Sequence, residues 1–70
     1  MKVHLAWINE NNKTENLSLP KNSTVRDLLN ALRIDNYENY IVVVNGRNRL
    51  PDHPLTNGDQ IKLLLAMAGG

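Results

Sequence analysis

Cysteine is absent from the 70-residue chain. Disulfides, thiolate metal sites and thiol catalysis go with it. A chain this small without a disulfide must rest on its apolar core, which fits a reducing cytoplasm better than secretion, so a cytoplasmic protein is expected. Long apolar runs are missing too. The longest, residues 63–68, falls far short of the roughly 20 residues a helix needs to cross a bilayer. The start, "MKVHLAWINENN", lacks the uninterrupted apolar segment and small-residue cleavage site of a signal peptide, so no membrane partner is expected. Charge of one sign is also lacking: eight basic residues face seven acidic ones, for a net +1, and only Arg47 and Arg49 sit close together. That leaves no electrostatic footprint for nucleic acid.

Chemistry-bearing residues are equally thin. His4 and His53 have no third ligand at useful spacing, so no metal site is expected. Trp7, Tyr37 and Tyr40 are too scattered to stack on bases. Asp35, Glu38, Asp52 and Asp59 fall in turn-forming stretches, with no apolar setting to raise a pKa for acid–base work. A domain of this size buries only about 60% of the surface its unfolded chain exposes, which leaves little room for a catalytic cleft. The expectation is a single domain that binds or carries, not an enzyme.

What is present is a clear change of period along the chain. Lys2–Ile8 alternates, with Val3, Leu5 and Trp7 on one face and Lys2, His4 and Ala6 on the other, as in a half-buried strand. Polar "NENNK" and then "TENLSL", with Leu17 and Leu19 two apart, predict a hairpin with a loop of four or five residues, closed by Pro20. In "STVRDLLNALRI", Val25, Leu28, Leu29 and Leu32 form one helical stripe. Ser23 or Thr24 suits the cap, Asp27 the first turn and Arg33 the last, which predicts a helix of about ten residues lying on a sheet. "YIVVV" reads as a strand, Asn45-Gly46 as a tight turn and "RNRL" as a brief return strand. Turn-rich "PDHPLTNGD" leads into a last strand, "QIKLLLA", with Ile61, Leu63 and Leu65 pointing one way and Lys62 and Leu64 the other. One helix covers one face of such a sheet and leaves the opposite face open. Leu64 and Val43 are expected on that open face. Gly46 and Gly58-Asp59 read as structural turns, and Arg47 and Arg49 as a solvated hairpin.

The sequence then closes on "LLLAMAGG". A glycine serves where the backbone needs positive φ or close approach by another group. With no following segment to turn toward, Gly69-Gly70 suits entry of a slim terminus into another molecule. Three stretches, "STVRDLLNAL", "VVVNGR" and "DHPLTNGDQIKLLLAMAGG", together with this ending, resemble the ubiquitin-like β-grasp sulfur carriers of thiamine and molybdopterin biosynthesis, ThiS and MoaD. The resemblance runs through essentially the whole chain. The compact length and the "GDQIKLLLAMAGG" ending look like the thiazole-forming carrier, ThiS. "DHPLTNGD" looks more like the molybdopterin carrier.

The resemblance implies an α+β fold: a mixed sheet of four or five strands with one helix on one face, spanning residues 1–65, followed by a flexible tail of residues 66–70. It implies a ThiF/MoeB-like adenylyltransferase as partner, which uses ATP to join AMP to the Gly70 carboxylate. It further implies a persulfide sulfur donor, and thiazole synthase or the large subunit of molybdopterin synthase as the acceptor of the thiocarboxylate. No cofactor would be held permanently, and no catalytic residue would belong to this chain. Gly69 and Gly70 would form the working end, because a side chain at either would obstruct in-line approach to the α-phosphate. The tail, extended, could reach roughly 17 Å. Val43, Leu64, Ala66, Met67 and Ala68 would meet the partner. Two other readings are open to the same residues: a ubiquitin-like modifier joined through Gly70 to lysines, and a plain β-grasp interaction domain.

Overall fold

The computed structural model describes residues 1–8 and 13–65. Five strands form one sheet: β1 (Lys2–Ile8), β2 (Thr14–Ser18), β3 (Tyr40–Val44), β4 (Arg47–Asn48) and β5 (Gln60–Leu65). A single α-helix, α1 (Val25–Ala31), lies between β2 and β3, and a short 3₁₀ turn (Tyr37–Asn39) leads into β3. The strand order is β2-β1-β5-β3-β4. β1 and β5 run parallel, while β1–β2, β3–β5 and β3–β4 are antiparallel. This is the mixed β-grasp sheet with one helix that the resemblance implied. β5 sits at its centre.

Register explains the core. Val3, Leu5, Val42, Val44, Ile61 and Leu63 all fall on one face and are buried with Val25, Leu28 and Leu29 of the helix. Trp7 packs at the edge of this cluster, where its indole N–H donates to Glu15 at 3.0 Å. The opposite parity of each strand faces away from the helix. Leu65 shares the register of Leu63, as expected, yet it is 43% exposed. Its cross-strand partner is Tyr40, at the end of β3, so the buried layer stops one pair earlier, at Leu63–Val42.

Both helix ends are closed by local chemistry. Thr24 and Asp27 form a reciprocal capping box. The Val25 and Arg26 amides donate to the carbonyls of His53 and Pro51, so the Pro-rich segment supplies acceptors that the first turn lacks. At the other end the helix is shorter than predicted, seven residues instead of about ten. Arg33 does not sit in the last turn; it lies beyond the helix at φ 61, the left-handed position that ends it. There the Arg33 amide donates to Asn30 and the Ile34 amide to Leu29, with Ile34 and Leu29 both buried, as in a Schellman motif. A residue with a Cβ is disfavoured at that φ by about 1 kcal/mol. Arg33→Gly is therefore expected to stabilise the fold by roughly 0.5 kcal/mol, after the greater entropy of the unfolded glycine is subtracted. That would raise the thermal unfolding midpoint by about 3 °C. A lowered midpoint would show that Arg33 makes a stabilising contact.

The turns follow the sequence reading. Asn45 and Gly46 both have positive φ (52 and 88), the geometry of a two-residue type I′ hairpin joining β3 to β4. Gly58 (φ 88) donates its amide to the Lys2 carbonyl, and Asn57 accepts from the Lys2 amide, so this turn is fastened to the start of β1. The β1–β2 pairing is as predicted. Most of the predicted loop between them, residues 9–12, lies outside the described residues.

Candidate functional site

The open face is built from the strand residues that the helix does not cover. Across its end nearest the tail runs an apolar row: Ile8 of β1 opposite Leu64 of β5, and Leu64 opposite Ile41 of β3. Ile8 and Ile41 are each 39% exposed, and Leu64 is half-buried between them. The next row reads Thr14, Ala6, Lys62, Val43 and Asn48 across all five strands. Four of these are neutral, and Lys62 stands in the middle. The third row holds Asn16, His4 and Gln60, with a hydrogen bond between the His4 ring and the Asn16 amide oxygen.

Val43 and Leu64 thus lie on the open face, in adjacent rows. Ala66, Met67, Ala68, Gly69 and Gly70 lie outside the described residues. The sequence reading missed Ile8 and Ile41 as members of the patch. Their parity was legible, since Ile8 alternates with Trp7 and Ile41 with Val42. What was not legible is that β1 and β3 flank β5, which places both isoleucines beside Leu64.

At the opposite end of β5 from the apolar row, the turn that starts the strand is built around Asp59. Asp59 lies in the structural turn expected of it and is only 7% exposed there. Its carboxylate accepts from the Thr56 amide at 2.8 Å, the Thr56 hydroxyl at 2.8 Å and the Asn45 carboxamide at 2.9 Å. Asn45 in turn accepts from the Gln60 amide at 2.9 Å. The β3–β4 turn and the first residue of β5 are clamped through one carboxylate. Burial pushes the Asp59 pKa up. The hydrogen bonds from Thr56 and Asn45, and the nearby His53, outweigh it and hold the carboxyl below its ordinary value. This is a structural acid, kept ionised.

Among the described residues no group of three potential metal ligands occurs. No helix there is long and apolar enough to cross a membrane. A recess of about 480 Å³ lies beside the outer edge of β3, lined by Tyr37, Glu38, Tyr40, Arg49, Leu50 and Pro51 among others. It brings together one carboxylate and no paired base or nucleophile. Arg47 and Arg49 are both exposed, as the hairpin reading expected.

The sequence matches the ThiS family over residues 5–70. No curated protein matches it. Solved structures with the same fold include SAMP1 from Haloferax volcanii, at 18% identity and a TM-score of 0.80, with all of both chains covered. The molybdopterin-converting factor complex of subunits 1 and 2 from Helicobacter pylori contains another, at 18% identity and a TM-score of 0.72, again over all of both chains. The thiamine biosynthesis protein ThiS from Geobacter metallireducens is 27% identical, with a TM-score of 0.64, over 96% of this chain and 99% of that one.

Proposed function

Because this chain belongs to the ThiS family, we propose that it is a protein-borne sulfur carrier working through the Gly70 carboxylate. The observation that carries this reading is the family match through to Gly70, joined to a fold whose central strand, β5, ends five residues before Gly70 in the sequence. A carboxylate is a poor electrophile. In the proposed sequence its oxygen attacks the α-phosphorus of ATP on a partner adenylyltransferase, and pyrophosphate leaves. A donor persulfide then attacks the acyl carbon and expels AMP, and cleavage of the S–S bond by a thiol leaves a terminal thiocarboxylate. The chain supplies the reacting end and a surface to dock. The partners supply the catalytic groups.

Docking is assigned to the open face around Ile8, Ile41, Val43 and Leu64. It lies at the root of the tail, so a partner gripping it would have residues 66–70 within reach of its nucleotide site. The thiazole of thiamine is the favoured recipient of the sulfur, supported by the ThiS match and the 27% identity to a thiamine biosynthesis protein. Molybdopterin comes next.

The test is intact-protein mass spectrometry after incubation with ATP, the cognate adenylyltransferase and a persulfide donor. The expected result is a species heavier by the exchange of one oxygen for sulfur, lost entirely when Gly70 is deleted. Failure to form that species with the cognate partners would overturn the reading. Gly-Gly remnants on lysines of other proteins, with no thiocarboxylate, would favour the modifier role instead.

A further inference from the structure

The open face is of one charge sign, and this says what it can meet. Of the seven acidic residues, Glu10 lies outside the described residues. Of the other six, none is an open-face strand residue, and Glu38 alone comes to its edge, lining a recess with Ile41 and Asn48 beside β3. Glu15 is turned to the helix side, where its carboxylate holds the Trp7 indole. Asp27 caps the helix and Asp52 pairs with Arg26 at 2.6 Å. Asp35 and Glu38 belong to the connection before β3, and Asp59 is buried in its turn. The described strand residues of the open face include Lys2, His4 and Lys62 and no carboxylate.

Lys62 is the member that matters. It stands on the central strand, between Ala6 and Val43 and two residues before Leu64. It is exposed and makes no ion pair with a described residue. Beside it the face dips into a recess of about 330 Å³, whose lining includes His4, Thr14, Glu15, Asn16, Gln60 and Lys62, with the Glu15 carboxylate itself held by the Trp7 indole. A partner that covers the apolar row must also cover this ammonium. The stem can lie along Ala6 and Val43, but the charged head cannot reach the rim of a surface at whose centre it stands. A buried ammonium without an acceptor is strongly penalised.

We propose that the open face recognises a protein surface bearing an Asp or Glu carboxylate seated opposite Lys62, beside an apolar group that fills the Ile8–Leu64–Ile41 row. This rests on the docking role assigned above and adds the chemistry of the partner. Attraction between the two surfaces speeds encounter, and salt screens it.

The experiment measures association rates with the cognate adenylyltransferase, at low and high salt, for wild type, Lys62→Glu, Lys62→Gln and Lys21→Glu. Lys21 lies in the turn before the helix, so its reversal changes net charge equally but off the face. Wild-type association is expected to slow as salt rises. Lys62→Glu is expected to associate about tenfold more slowly at low salt, with the gap closing at high salt, and Lys62→Gln to fall between. Lys21→Glu should stay near wild type. The inference is overturned if Lys62→Glu and Lys62→Gln are no slower, if Lys21→Glu is slowed as much, or if the wild-type rate ignores salt. Should Lys62→Glu fail to fold, Lys62→Gln and the wild-type salt series decide. Wild type that is never adenylated would instead overturn the carrier reading itself.

Discussion

Placing aspartate at Ile41 is expected to lower the rate of Gly70 adenylation at subsaturating carrier by about 100-fold, while leaving the fold intact. Ile41 sits on the exposed side of β3 opposite Leu64, so a new carboxylate there remains in water in the free protein. Covered by a partner, it would be an unpaired charge in an apolar contact, a cost of about 3 kcal/mol, or two decades in affinity. Steady-state adenylation kinetics and a thermal melt check it together. An unchanged kcat/KM with an unchanged midpoint would remove the open face from the docking surface. Leu64→Asp should slow adenylation too, but at some cost in stability, because Leu64 is half-buried in the same row.

The second large effect is on stability and falls on Asp59. Alanine there leaves the Thr56 amide, the Thr56 hydroxyl and the Asn45 carboxamide without their acceptor. With hydrogen bonds to a charged group lost at a largely buried site, the expected cost is about 3 kcal/mol at neutral pH. A domain of this size holds only roughly 4–10 kcal/mol in all. Denaturant unfolding should therefore show a large fall in midpoint without a change in slope. Acid gives an independent signature. The folded state holds the Asp59 carboxyl below its ordinary pKa, so its ionisation contributes stability above the unfolded value, near 3.8. That contribution is lost as pH falls through the lower, folded value. Wild type should lose stability over that acid range, Asp59→Ala should lose less, and the two curves should draw together. Parallel curves down to low pH would remove Asp59 from the clamp.

These two residues also mark how far the sequence could be read. The alternation of Val3, Leu5 and Trp7 and the stripe of Val25, Leu28, Leu29 and Leu32 are local signals, and the structure buries all but the partly covered Trp7 and Leu32. Asn45-Gly46 is a local signal too. Asp59 was legible as part of a turn, but its burial depends on Asn45, fourteen residues away in the chain. No short window contains that pairing. Helix length failed for a related reason: Arg33 carries none of the glycine signature of a helix end, and only the Leu29–Ile34 closure shows why the chain leaves the helix there. The apolar row was half legible, since parity is written along a strand and neighbourhood is not. Val43 and Leu64 could be assigned to the uncovered side, while Ile8 and Ile41 joined them only once β5 was placed between β1 and β3.

That central position has a mechanical side. Any pull on the segment beyond Leu65 enters the sheet through its middle strand, with a ladder on each flank. Force directed along β5 loads many hydrogen bonds at once in shear, whereas an edge strand would peel away one bond at a time. A pull applied there is shared by both ladders before the body that bears it can unravel.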